Sequence, residues 1–114
     1  MYSVTAAFVE WLTNLGFDAS TYPPEDGEQF VTVNREGGGA SNLVDHPTIT
    51  IQTWAATEVL AEAMALLIRN EALTSTLPYG VTRASVNAGP YKYYDEDTRM
   101  PRFQLVLDVT CQLV

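Results

Sequence analysis

The chain has 114 residues, 46% of them hydrophobic, and carries fourteen acidic against six basic side chains for a formal net charge of −8. That length suits a single domain, residues 1–114, built on one core. The acidic balance argues against sequence-independent nucleic-acid binding and against docking on an anionic membrane, since both need Lys and Arg clustered on one surface.

In chain order, residues 3–15 read as an amphipathic helix. Val4, Phe8, Trp11, Leu12 and Leu15 recur at helical spacing, with Glu10 and Asn14 on the other side. Ser3 suits the N-cap, and Gly16 suits the left-handed residue beyond the C-terminus. No basic region opens the chain and Glu10 interrupts the apolar residues, so no secretory signal is expected. No apolar run approaches the ~20 residues of a membrane span, which predicts a soluble protein. Residues 18–29, with Pro23-Pro24 and several acids, read as a loop.

Phe30 to Arg35 alternates as a short strand. Gly37-Gly38-Gly39 then opens a polar, flexible linker running to Pro47, and Thr48 to Trp54 is a second, β-branched strand. Residues 55–73 give the clearest helical pattern. The stripe Ala56, Leu60, Ala63, Leu67 and Asn70, widened by Val59, Met64 and Leu66, is expected to face the core. Glu58, Glu62, Ala65 and Arg69 are expected to face solvent. A turn carrying Pro78 precedes a third strand over residues 81–88, with Ala84, Val86 and Ala88 on one face.

The segment from Gly89 to Arg102 has no helical period and reads as a long, acidic, tyrosine-rich connection of the kind that is either functional or disordered. From Phe103 onward the apolar residues Phe103, Leu105, Leu107, Val109, Cys111 and Leu113 fall on every second position, the signature of a strand with one buried face. The predicted fold is therefore α+β. It is a small sheet of about four strands, mostly antiparallel, packed on two helices in the order helix-strand-strand-helix-strand-strand.

Catalytic chemistry finds little to build on. His46 is the only histidine and Cys111 the only cysteine, so neither a zinc site nor an internal disulfide is expected. Cys111 lies on the inward phase of the last strand, as a small buried residue would. Gly37-Gly38-Gly39 lacks the lysine and the following helix of a phosphate loop. Asp95-Glu96-Asp97 lacks the alternate spacing and turn glycine of a calcium loop. The sequence predicts no enzyme, no metal and no cofactor.

Several features together resemble the tail terminator, or tail completion, proteins of long, non-contractile-tailed bacteriophages. They are the amphipathic first helix, the strand Thr48-Ile49-Thr50-Ile51-Gln52-Thr53-Trp54 running into an alanine-rich helix, Gly89-Pro90-Tyr91 entering an acidic loop, and Met100-Pro101-Arg102-Phe103-Gln104 opening the last strand. The resemblance implies a structural virion protein, present in the host cytoplasm during assembly. It implies a hexameric ring that caps the tail tube and joins it to the head-tail connector or head-closure protein. DNA would pass through the lumen without specific binding, and six copies at −8 each would put a formal −48 around it. The expected contact residues, between subunits or with tube and connector, are Arg35 at the end of the first strand and Gly37, Gly38, Gly39 and Asn42 in the linker. Tyr91, Tyr93, Tyr94, Asp95, Glu96, Asp97, Arg99 and Arg102 complete the set around the acidic loop. Arg99 and Arg102 are the expected charge-pairing donors. Two other readings stand beside it. One is a head-closure or adaptor protein of the same neck, which shares the size and acidic balance and which the sequence separates poorly from a terminator. The other is a small acidic, monomeric regulatory module, against which the division of the acids between loops and helix backs counts.

Overall fold

The computed structural model describes residues 2–93 and 100–112. The elements are α1 (Val4–Asn14), β1 (Ala19–Ser20), β2 (Phe30–Ser41), β3 (Val44–Trp54), α2 (Glu58–Thr74), β4 (Val81–Lys92) and β5 (Arg102–Gln112). The strands form one five-stranded sheet in the order β1-β2-β3-β5-β4. Every neighbouring pair is antiparallel except β1, which runs parallel to β2. The expected α+β architecture with two helices stands, with one strand more than expected. That strand lies inside the stretch read as a loop, and its two residues are too few to show alternation.

Helix α1 begins where Ser3 Oγ accepts a hydrogen bond from the Ala6 amide at 3.1 Å, a cap that stabilises a helix by about 1 kcal/mol. It ends in a Schellman turn: Gly16, at φ 101°, donates to Thr13 O, and Phe17 donates to Leu12 O. Val4, Phe8 and Leu12 of α1 join Val31, Val33, Ile49, Ile51, Leu105 and Leu107 in one core, to which α2 adds Ala61, Met64 and Ile68. Both helices therefore cover the same sheet face. Each large side chain so buried contributes ~1.5–3 kcal/mol before the cost of ordering it.

Four expectations need correction. The glycine segment is no flexible linker. β2 runs through it to Ser41 and pairs with β3 from Val44, with Gly38 opposite Pro47 and Ser41 opposite Val44. Pro47 argues against a central strand because it has no N–H, but a proline is tolerated at a bulge, and β2 shifts register there, between Arg35 and Gly38. The connection after Gly89 is shorter than expected, because β4 continues to Lys92 and β5 starts at Arg102. A register shift between Val86 and Ala88 turns Ala88 to the face of its partner Val106, away from Ala84 and Val86.

The fourth correction is the rotation of α2. Its buried residues are Ala61, Met64, Ala65, Ile68 and Ala72, so Ala65 faces the sheet and not solvent. Leu60, Ala63, Leu67 and Asn70, expected in the core, face outward, as does Val59, and Ala56 of the same expected stripe is exposed and precedes the helix. The alanines decide the rotation, because they let the helix come close enough for Thr53 Oγ1 to donate to Ala61 O at 2.7 Å.

Candidate assembly site

The β2–β3 hairpin is held as an arm by side chains on its helix-covered face. Arg35 donates from both terminal nitrogens to Asp45, at 2.8 Å each, and from Nε to Gly37 O at 2.9 Å. This bidentate pair clamps the two strands across the bulge. It holds the Asp45 carboxyl below its usual range, chiefly through the hydrogen bonds from Arg35, and burial opposes the effect. The same bonds raise Arg35. Beside them the buried Cys111 thiol is pushed up, first by its burial and then by the Asp45 charge, which makes it a poor nucleophile.

The clamp gives a pH-dependent expectation. Asp45 has a folded pKa below that of an unfolded aspartate, about 3.9. Its stabilisation is therefore complete above that value and is lost as pH falls through the lower folded one. Asp45→Asn should cost about 1 kcal/mol at neutral pH, since Arg35 is partly open to solvent, which screens the pair. The difference from the parent should shrink below about pH 4. Urea melts at a series of pH values, with amide exchange across 36–44, measure it. A difference that persists undiminished to pH 2.5 would show that Asp45 acts through packing and not through its charge.

Two residues form the tip of the arm. Asn42 (φ 50°) and Leu43 (φ 64°) both adopt the left-handed conformation of a type I′ hairpin turn. Asn is well suited to it and a bulky Leu is not. Leu43 is 80% exposed. The expected contact residues Gly37, Gly39 and Asn42 thus lie on an ordered, exposed arm. Gly38 is packed against the backbone of His46 and Pro47, and Arg35 is engaged within its own subunit.

A second group lies on the sheet face away from the helices. Arg102, 7% exposed, stacks its guanidinium 4.2 Å over the Trp54 ring and 4.5 Å over that of Tyr93. Trp54 in turn stacks on Phe30, with ring centroids 5.2 Å apart, and donates to Thr32 Oγ1 at 3.1 Å. Arg102 Nη1 donates to Gln52 at 3.3 Å, Gln52 to Gln104 at 2.7 Å, and Gln104 to the Tyr91 hydroxyl. The expected residues Tyr91, Tyr93 and Arg102 therefore meet in one place, where they form an internal ladder across β3, β5 and β4. Tyr94, Asp95, Glu96, Asp97 and Arg99 lie outside the described residues.

The third surface is one that periodicity misassigned. Val59 is 78% exposed, Leu67 48% and Leu60 38%, and with Ala63 they make the outward side of α2 apolar. A helix covered on one side by its own sheet ordinarily turns polar residues outward. The signal was in the sequence as two apolar stripes on one helix. Among the described residues, no three His, Cys, Asp or Glu side chains gather where they could hold a metal ion, and no helix is long and apolar enough to cross a membrane. No protein-family model and no curated protein matches the chain.

Proposed function

We propose that the chain is a structural subunit of a phage tail, a terminator that closes into a ring, caps the tail tube and joins it to the head connector. The observation that carries this reading is α2, apolar toward the sheet and apolar again toward the outside. A subunit that stayed alone would leave the outer stripe wet at a cost in solubility. A ring subunit needs two different surfaces that bind head to tail, and the stripe and the hairpin arm are two such surfaces.

One sheet edge supports the same reading by being poorly suited to strand addition. On the β2 side the two-residue β1 covers only Val31 and Thr32, and among the described residues the rest of β2 has no partner strand there. At the opposite edge, β4 breaks register between Val81 and Arg83, Val86 and Ala88, and Ala88 and Tyr91, and it carries Pro90. Bulges and proline on an edge strand are devices against open-ended pairing. At the β4 edge association is thus directed to side-chain surfaces, where a ring can close. The formal charge of −8 per subunit keeps DNA from adhering as it passes.

Purified protein mixed with tail-tube polymer should give rings seated on tube ends in electron micrographs. Virions assembled without it should have tails of irregular length that fail to join filled heads. Uniform tails firmly joined in its absence would reject the terminator reading. A chain that stays monomeric even with tube present would favour the regulatory module.

A further inference from the structure

Resting on the ring reading, we infer that neighbouring subunits are joined by Leu43 of one copy seated on the outward stripe of α2, at Val59, Leu60, Ala63 and Leu67, of the next. Leu43 occupies the second position of a two-residue type I′ turn, at φ 64°, where glycine is the residue of least strain. It is 80% exposed, so its own subunit gives it almost no packing. The fold therefore holds a large apolar side chain in a disfavoured conformation at the end of an ordered arm. Backbone strain without an internal return is a sign of a contact made elsewhere.

The occupant of the stripe follows from position and charge. β3 covers eleven residues, ~36 Å at about 3.3 Å per residue, between the hairpin tip and Trp54. α2 starts just beyond Trp54, where Glu58 pairs with Lys92 at 2.6 Å. The first turns of α2 and the hairpin tip thus lie at opposite ends of an elongated subunit, 43 Å in its longest dimension. They cannot meet within one copy, and they suit a head-to-tail contact. Like copies at −8 each repel, so a contact between them favours surfaces without acids. Residues 37–43 contain no charged side chain, so the arm adds no charge to the α2 surface, where Glu62 and the Lys92-paired Glu58 flank the stripe. The glycines behind the tip present bare backbone, which allows close approach to a helix.

The test uses the full chain in sedimentation velocity over a concentration series, with circular dichroism and thermal melts on each variant. Leu43→Gly should raise the melting temperature of the subunit, because it relieves the turn, and weaken self-association by ~10-fold or more. Opposite signs from one substitution are the specific expectation. Leu43→Glu and Leu67→Glu should each fold and remain unassembled. Mixed together, each retains one intact surface, so the pair should form 1:1 dimers and stop there. If the wild type assembles and these variants assemble equally well, or if the mixture forms full rings, the assignment of these surfaces is overturned and the ring reading stands. If the wild type is monomeric at every concentration, alone and with tail tube present, both fall together.

Discussion

Gly38→Ala is expected to destabilise the subunit by about 2–4 kcal/mol, the largest effect of any small substitution in the arm. A Cβ at this position would lie 2.1 Å from the carbonyl oxygen of His46 and 2.7 Å from the Cα of Pro47. Both are backbone atoms of the paired strand, so no side chain can swing aside to make room. The φ of 104° adds strain for any residue with a Cβ. The neighbouring glycines provide internal controls. Gly37 has φ 117° but open space around it, and Gly37→Ala should cost about 1 kcal/mol. Gly39 has neither a positive φ nor an atom within 4 Å of its added Cβ, so Gly39→Ala should change stability by no more than about 0.5 kcal/mol. Urea unfolding followed by tryptophan fluorescence would rank the three. A Gly38→Ala variant as stable as Gly39→Ala would mean that the strands are not packed together at the bulge.

That series bears on what could be read from the residues alone. Three consecutive glycines look alike in a sequence and suggest mobility, yet here one permits a close backbone approach, one supplies a left-handed bulge residue and one is an ordinary strand position. Only the partner strand distinguishes them, and nothing local to Gly37-Gly38-Gly39 encodes it. α1 was legible because Val4, Phe8 and Leu12 form a single stripe between Ser3 and Gly16. So was β5, whose Leu105, Leu107, Val109 and Cys111 are all buried. α2 was legible as a helix and not in its rotation, since Leu60 and Leu67 on one side compete with Met64 and Ile68 on the other. The choice fell to the small, buried Ala61 and Ala65, the first of which accepts from Thr53 of β3. For the candidate site, the hairpin residues and the arginine-tyrosine group were visible as unusual composition. The partners of Arg35 and Arg102 depend on contacts across strands, which composition does not specify.

Arg102→Ala is the second large expectation, a loss of about 3 kcal/mol in the stability of the isolated subunit. An arginine that serves mainly as a charge donor to a neighbouring copy would sit exposed, and its removal would leave the monomer nearly unchanged. Arg102 is instead buried, between the rings of Trp54 and Tyr93, with Nη1 bonded to Gln52. Truncation removes the flat group that fills the space between the rings. It also takes from Gln52 the donor at the end of the chain that runs through Gln104 to Tyr91. Lysine should rescue little, because an ammonium cannot stack flat between two rings, so Arg102→Lys is expected to lose about 2 kcal/mol. Trp54 reports directly, and its emission should shift as the guanidinium leaves its face. If Arg102→Ala melts like the parent while its assembly fails, the residue belongs to an interface between copies and the internal ladder contributes little. If stability and assembly fall together, and Arg102→Lys restores neither, the arginine is a brace of the sheet through which the Tyr91 and Tyr93 end of β4 is held in place.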